Sequence, residues 1–377
     1  MIKKAVILAA GRGTRLQPLT HALPKPMIPL LGKPVMEYIV EHLARHGVRE
    51  IMVNTSHLAS RIEQYFGDGR RWGVQIGYSF EGHLDGERLV PEPVGSAGAL
   101  RKINDLGGFI DQTTAVLCGD AVVTLDLRAA ASRHRAQGAI ASVITKEVAL
   151  NEVGNYGVVV SDSAGRVVSF QEKPAPQDAL SRQASTGIYL IEPEALAHIP
   201  AGRSFDIGAE LFPLLVRCGL PFFAQCRDFE WLDIGRVADY WQIVQRLMHG
   251  GVAGIAVPGT EVRPGVRVGL NTRVDWDTVH IEGPVCIGSG TVIEPGAVLR
   301  GPLWIGSGCH IGAGATVARS VVFDHAQVAA NASASDMLVS GSFCIGRDGQ
   351  AATAARRWWG DARSRTLPQS SDLRVAA

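Results

Sequence analysis

The sequence predicts an α/β domain on a mixed, mostly parallel sheet, followed by a left-handed parallel β-helix. Three observations carry that prediction. Strand-like and helix-like stretches alternate from residue 1 to about 248, the rhythm of a sheet covered by helices on both faces. The first apolar run breaks abruptly into Gly11-Arg12-Gly13-Thr14-Arg15, and a turn after a strand is where open α/β sheets bind ligands. From Ile281 an apolar residue then recurs at every sixth position, through Ile287, Ile293, Leu299, Ile305, Ile311, Val317 and Phe323. That period belongs to neither a helix nor a flat strand.

Met1 to Ala9 is short, apolar and partly β-branched, so it reads as a buried first strand. Pro34 opens a helix whose Val35, Met36, Ile39, Val40 and Leu43 share one face, with Gly47 closing it. Strands are expected at Ile51–Asn54, Val74–Phe80, Ala115–Gly119 and Ala139–Thr145, and helices at Leu58–Phe66 and Leu127–Gln137. Gly157–Ser161 and Val167–Gln171, joined by Asp162-Ser163-Ala164-Gly165, read as a hairpin. A last helix, Arg236–Met248, runs into Gly250-Gly251 as a hinge.

Beyond the hinge, six-residue steps with small corners (Ile-Gly-Ser-Gly, Ile-Glu-Pro-Gly, Ile-Gly-Ala-Gly) are the hexapeptide pattern of a triangular coil, each side pointing one aliphatic inward. Ala256, Val262, Val268 and Val274 extend the series upstream, with a one-residue slip near Trp276, to about four coils. After Val328 the period decays. The expected domains are 1–250, 251–345 and a basic, mobile tail at 346–377. That tail carries Arg347, Arg356, Arg357, Arg363, Arg365 and Arg374 against three aspartates, with Trp358-Trp359 as its apolar exception.

With 377 residues, 46% hydrophobic, 19% charged and a net charge of +1, the chain describes a soluble globular protein rather than a nucleic-acid or membrane binder. Lys3-Lys4 and the following apolar run are too short for a signal peptide, and no stretch approaches a membrane span. Cys118, Cys218, Cys226, Cys286, Cys309 and Cys344 show no CxxC or metal spacing, so each reads as a small buried apolar residue in a reducing cytoplasm. His280, His310 and His325 are expected at the surface or between coils.

The chemistry concentrates in Leu8 to Pro26. Gly11 and Gly13 let the backbone approach a ligand and aim N–H groups at phosphate oxygens, while Arg12, Arg15 and Lys25 are the cations a triphosphate needs. Leu16 stands where a dinucleotide fingerprint wants its third glycine, and no Gly-Lys-Ser/Thr phosphate loop is present. The Gly-x-Gly-Thr-Arg-Leu, Pro-Leu-Thr and Pro-Lys-Pro run instead resembles the signature of sugar-1-phosphate nucleotidylyltransferases.

Further motifs follow in the order that resemblance requires. Leu117-Cys118-Gly119-Asp120 and Trp231-Leu232-Asp233-Ile234-Gly235 match the two metal aspartates, which imply Asp120 and Asp233 as Mg²⁺ ligands. Phe170-Gln171-Glu172-Lys173-Pro174 resembles the Glu-Lys-Pro in which Glu172 accepts sugar hydroxyls and Lys173 grips the sugar phosphate. Gly157 and Thr186, in Tyr156-Gly157-Val158 and Ser185-Thr186-Gly187, complete the implied sugar pocket, although Ser185 stands where the family often has Asn.

Pro93-Val94-Gly95-Ser96-Ala97-Gly98 resembles the base-contacting segment, with Ser96 as a helix N-cap. About ten extra residues around His83 to Leu89 precede it. The implied nucleotide set is Ala10, Gly11, Gly13, Thr14, Arg15, Lys25, Glu92 and Gly95; the implied catalytic set is Arg15, Lys25, Asp120 and Lys173. The fold so implied is a Rossmann-like nucleotide-diphospho-sugar transferase domain. Its partners are a nucleoside triphosphate, a sugar-1-phosphate and further copies of the chain through the β-helix.

Domain order and the runs Ser-Thr-Gly-Ile-Tyr-Leu-Ile-Glu-Pro-Glu-Ala-Leu and Phe-Asp-Ile-Gly-Ala-Glu-Leu-Phe-Pro-Leu-Leu look most like mannose-1-phosphate guanylyltransferases. GTP with mannose-1-phosphate, giving GDP-mannose, is therefore the expected pair. Glucose-1-phosphate uridylyl, thymidylyl or adenylyl transfer and a non-catalytic scaffold are the alternatives.

Overall fold

The computed structural model describes residues 1–86, 88–352 and 358–363. The chain packs as two compact units. The first holds Met1–Arg12, Ala22–Ile28 and Val35–Leu232; the second holds Gly13–His21, Pro29–Pro34 and Asp233–Ala377.

The first unit is built on nine strands: β1 (Lys4–Leu8), β2 (Glu50–Thr55), β3 (Gln75–Phe80), β4 (Thr114–Cys118), β5 (Ala141–Glu147), β6 (Gly157–Ser161), β7 (Val167–Glu172), β8 (Gln183–Ile191) and β9 (Phe222–Cys226). Their order is β7-β6-β8-β4-β1-β2-β3, with β5 paired to β8 and β9 to β5. β3, β2, β1 and β4 run parallel, β8 crosses antiparallel beside β4, and β6–β7 is the expected hairpin. Leu8 lies opposite both Asn54 and Cys118. The carboxyl ends of three parallel strands therefore finish level, with the Gly-rich turn, Asn54 and Gly119-Asp120 on one edge.

Alternation along β1 decides the two core layers. Ala5 and Ile7 join Ile39, Leu43, Ile51, Val53, Ile62 and Leu117 on one face. Val6 joins Leu100, Ile103, Val116, Phe212 and Phe222 on the other. Burying each of the larger side chains stabilises the fold by about 1.5–3 kcal/mol. The helices that cover the faces are α1 (Val35–Arg45), α2 (Ala59–Phe66), α3 (Ser96–Gly107), α4 (Leu127–Ala136) and α5 (Phe212–Arg217), with α6 (Val237–Met248) in the second unit. On α1, Val35, Met36, Ile39, Val40 and Leu43 are all buried, as their spacing predicts.

The second unit is a left-handed parallel β-helix. Four coils of three short strands run from Val266 to Ser335, and Met337–Val339 begins a fifth. Ile287 stacks on Ile305, Ile293 on Ile311 and Leu299 on Val317, each pair one coil apart. Three details depart from the even six-residue series. Ala256 is exposed outside any strand and Val262 is 46% exposed on a strand antiparallel to Val266–Val268, so the coil starts later than expected. Ile305 pairs with Val322; that coil is one residue short, so Phe323 leaves the interior and stacks on Tyr240 at 6.0 Å between ring centres. The stacking also continues past Val328, where Ala334 and Val339 are fully buried.

The segment expected as a mobile tail is anchored where it is described. Trp359–Asp361 pairs antiparallel with Ala326–Val328, and Trp358 and Trp359 pack on the coil's core. Arg356, Arg357, Arg365 and Arg374 lie outside the described residues. By packing, the second unit takes in Asp233–Met248 together with the coil. The reason is α6, which docks on the β-helix through the Tyr240–Phe323 stack and the bond from Trp241 Nε1 to the Arg319 carbonyl at 3.0 Å. None of the six cysteines forms a disulfide, but Cys218 and Cys226 are exposed, unlike the expectation for buried residues.

His42 on α1 is 4% exposed, and among the described residues its Nε2 has no hydrogen-bond partner. Burial, then the neighbouring His46 and Arg45, push its pKa down to about 3. An unfolded histidine titrates near about 6.5, so the stability of the neutral form is complete above that pH and is lost as pH falls toward 3. The slope is about 1.4 kcal/mol per pH unit. Urea denaturation of wild type and His42→Leu at pH 7 and pH 5 checks this: the stability of the wild type relative to the variant should fall between them. Parallel profiles would refute it.

Candidate active site

The level carboxyl ends of β1 and β4 bring two sequence-predicted residues together. The Gly119 N–H donates to the Leu8 carbonyl at 2.9 Å, and a Cβ on Gly119 would press on that carbonyl at 3.1 Å and on Ile7 at 3.2 Å, so β4 ends close against β1. The Pro24–Met27 turn lies beside this end, where Lys25 Nζ forms an ion pair with Asp120 Oδ2. The lysine side chain is 12% exposed and the aspartate 26%. A partly exposed hard carboxylate beside a cation suits a divalent ion that shares its charge with phosphate oxygens.

Asp233 ends the Trp231–Asp233 strand and counts with the second unit, as do Gly13, Thr14 and Arg15. Thr14–Leu16 forms a tight helical turn after Gly13, whose carbonyl accepts from Thr20 Oγ1 at 2.9 Å. Arg15 is exposed. Among the described residues no three His, Cys, Asp or Glu side chains gather as a metal cage. One or two carboxylates plus phosphates and water are what Mg²⁺ sites commonly use.

The hairpin β6–β7 builds a second focus. Gly157 pairs with Glu172 across the ladder. The Glu172 carboxylate lies beside Gly157 and Gly208, where added Cβ atoms would come within 3.2 and 2.9 Å of Oε2. Lys173 has φ +48 and donates its backbone N–H to the Tyr156 carbonyl at 3.1 Å, which turns its ammonium back onto Glu172. Thr186 is 3% exposed, and its hydroxyl donates to the Ile144 carbonyl at 2.9 Å, which ties β8 to β5. Next to it Gly187 has φ +71, with Cys118 Sγ 2.7 Å from any added Cβ.

The third focus is residues 92–98. Glu92 is exposed and meets His83 Nδ1 at 3.2 Å, on the antiparallel hairpin Gly82–Asp85/Arg88–Pro91 that the extra residues form. Gly95 has φ +74, and a Cβ there would sit 2.5 Å from the Phe205 carbonyl. That carbonyl takes the N–H groups of Ala97 and Gly98, both at 2.9 Å, while the Phe205 N–H donates to Val94 at 3.0 Å. Ser96 is consequently not the N-cap of α3; Gly95 holds that position. The Ser96 hydroxyl donates to Asp206 Oδ2 and accepts the Ile207 N–H, each at 2.8 Å.

Two residues the motifs did not single out support this focus. Asn54 and Glu81 are buried between the first and third segments. Burial raises the Glu81 carboxyl above the ordinary range, opposed first by the Val94 N–H and then by Lys102 and Asn54. Neither belongs to a motif, and the parallel register of β1, β2 and β3 brings Asn54 beside Glu81.

A parallel-stranded α/β unit with cationic and carboxylate groups at its strand ends, joined to a hexapeptide β-helix, defines a class of nucleotide-using transferase. Residues 4–250 match the model described as nucleotidyl transferase, and 287–319 match the bacterial transferase hexapeptide repeats. The chain belongs to the nucleotidyl transferase family, in the branch of sugar-1-phosphate nucleotidylyltransferases.

A UTP–glucose-1-phosphate uridylyltransferase of Synechocystis sp. is 51% identical over 92% of this chain and 90% of its own length. A mannose-1-phosphate guanylyltransferase of Mycobacterium tuberculosis is 30% identical over 77% of this chain and 82% of its own. Among solved structures, a putative glucose-1-phosphate thymidylyltransferase of Bacillus anthracis superposes with a TM-score of 0.55 at 25% identity, covering 66% of this chain and 95% of that one. Enzymes of this family generally use divalent metal ions.

Gly95→Ala tests the third focus. The positive φ and the Phe205 clash should cost on the order of 1–3 kcal/mol, lowering Tm and weakening use of the nucleotide. Gly107→Ala, whose Cβ meets nothing within 4 Å, should leave both unchanged. Equal behaviour of the two variants in thermal melts and in the triphosphate KM would contradict the assignment.

Proposed function

We propose that the chain transfers a uridylyl group from UTP to glucose-1-phosphate, releasing pyrophosphate. The support for this pair is the 51% identity to the Synechocystis uridylyltransferase across nearly the whole chain. The overall resemblance that pointed to GTP and mannose-1-phosphate is carried by a relative at 30%. The observation supporting the reaction itself is the Lys25–Asp120 pair at the level strand ends.

A phosphate monoester is already an oxygen nucleophile, so the sugar phosphate attacks the α-phosphorus in line and pyrophosphate leaves. The difficulty is holding two polyanions together. Ala10, Gly11, Gly13 and Thr14 offer backbone N–H groups to the triphosphate, and Arg15 and Lys25 neutralise it. Lys173 draws in the sugar phosphate, while Glu172 and the Gly157 N–H receive sugar hydroxyls. Glu92 and Gly95 border the base.

Asp120 and Asp233 would hold Mg²⁺, which when bound adds positive charge against the triphosphate. Release of Lys25 from Asp120 frees the ammonium for phosphate. In this reading the enzyme works in a reducing cytoplasm, where its six cysteines form no disulfide. It assembles into a homo-oligomer through residues 254–345. Light scattering at micromolar concentration should give more than one chain per particle, and a monomer would refute the assembly.

Pyrophosphate release across five nucleoside triphosphates and several sugar phosphates should be fastest for UTP with glucose-1-phosphate. A preference for GTP with mannose-1-phosphate would replace the substrate and keep the mechanism. No transfer with any pair would favour a scaffold. Lys25→Ala should raise mainly the triphosphate KM and Lys173→Ala mainly the sugar-phosphate KM, each roughly ten- to hundredfold for one lost charge-assisted contact. Equal shifts on one substrate would overturn the two placements. Asp120→Asn should cut turnover by orders of magnitude without lowering Tm, and near-normal turnover would remove Asp120 from the metal site.

A further inference from the structure

Two stretches proposed to hold the nucleotide, Ala10–Gly11 and Glu92–Gly95, come from distant parts of the chain, yet one buried line of hydrogen bonds joins them through Ala9 and Val94. The Ala9 N–H, shared with the Asn54 carbonyl at 3.1 Å, donates to Asn54 Oδ1 at 2.7 Å. Asn54 Nδ2 donates to Glu81 Oε1, and Glu81 Oε2 accepts the Val94 N–H at 3.2 Å. The Glu81 backbone carbonyl also takes the Glu92 N–H at 3.1 Å and the Ser56 hydroxyl at 3.2 Å. Asn54 is 2% exposed and Glu81 4%, so water cannot replace a missing partner cheaply.

We propose that Asn54 and Glu81 are positioning residues for the nucleoside triphosphate, forming a polar relay that holds the first-strand turn at a set distance from the base-bordering loop. The proposal rests on the reading that these two segments bind the nucleotide.

The relay has a direction that its ends impose. Both termini are backbone N–H donors, at Ala9 and Val94, and neither can be reversed. The amide next to Ala9 must turn its oxygen toward that N–H, which leaves its NH₂ facing Glu81. The residue at position 81 must then accept at both oxygens, which a carboxylate does and a carboxamide cannot. Glu81→Gln therefore sets one donor against another. Asn54→Asp removes the central donor and places two carboxylates together. Exchanging the two groups restores every bond. A carboxylate at position 54 would accept from the Ala9 N–H and from the carboxamide NH₂ at position 81, whose oxygen would accept from Val94.

The test uses the full chain with Glu81→Gln, Asn54→Asp and the double variant Asn54→Asp/Glu81→Gln. Each single change should raise the KM for the preferred triphosphate about tenfold, with the sugar-phosphate KM changed by less than about threefold. The double variant should return to within about threefold of wild type. Amide hydrogen exchange at Ala9 and Val94, which needs no activity, should quicken in the singles and slow again in the double. A double variant no better than its worse parent in both readouts would overturn the relay. Exchange that is rescued while the triphosphate KM never moved would overturn the positioning role and, with it, the placement of the nucleotide.

Discussion

Three parallel strands that end at the same height set the conditions for everything else in the first unit. Because Leu8 lies opposite both Asn54 and Cys118, the chain leaves the sheet at one edge three times. Each exit delivers something chemical: the Gly-rich turn after β1, a buried amide at the end of β2, and Gly119-Asp120 after β4. A slip of one residue in either ladder would turn Asn54 or the Asp120 loop to the opposite face, since side chains alternate along a strand. The Lys25–Asp120 pair depends on that edge, because Asp120 leaves the sheet one residue after Gly119, whose N–H is held by the Leu8 carbonyl at the end of β1.

Around the edge, backbone groups do much of the work that side chains would be expected to do. The Phe205 peptide serves as a hydrogen-bonding bracket for residues 94–98, and Gly95 is the residue that fits beneath it. Ser96, free of capping, fastens Asp206 and Ile207 to the same bracket. The turn after Asp206 brings Gly208 against Glu172. The base-bordering loop and the sugar-facing carboxylate thus share one supporting segment, Phe205–Gly208. It lies in the Phe-Asp-Ile-Gly-Ala-Glu-Leu run, which the sequence offered as a mark of resemblance without a role for its residues.

Much of this was legible in the sequence. Local periodicity located seven of the nine sheet strands, the amphipathic α1 and the β6–β7 hairpin, but not β8 or β9; the six-residue repeat predicted which aliphatics fill the coil from Ile287 to Val317. It failed where a corner shortens, at Phe323, because a period cannot report a one-residue deletion that the stacking absorbs. Residue type alone assigned Ser96 as a cap, when a carbonyl more than a hundred positions later had already claimed the helix start. Asn54 and Glu81 carry no motif and were missed for the same reason. The grouping of Gly13–His21 and Pro29–Pro34 with the second unit is likewise a property of long-range packing.

In the proposed reaction, charge is neutralised at one edge and a substrate oxygen attacks directly, with no nucleophile from the protein. The stereochemistry at the α-phosphorus tests this most directly. With a triphosphate made chiral there by oxygen isotopes or sulfur, a single in-line displacement inverts the centre, and the sugar nucleotide should show inversion. Retention would mean two displacements through a covalent nucleotidyl-enzyme, and the strand-end site described above would then lack its central reacting group.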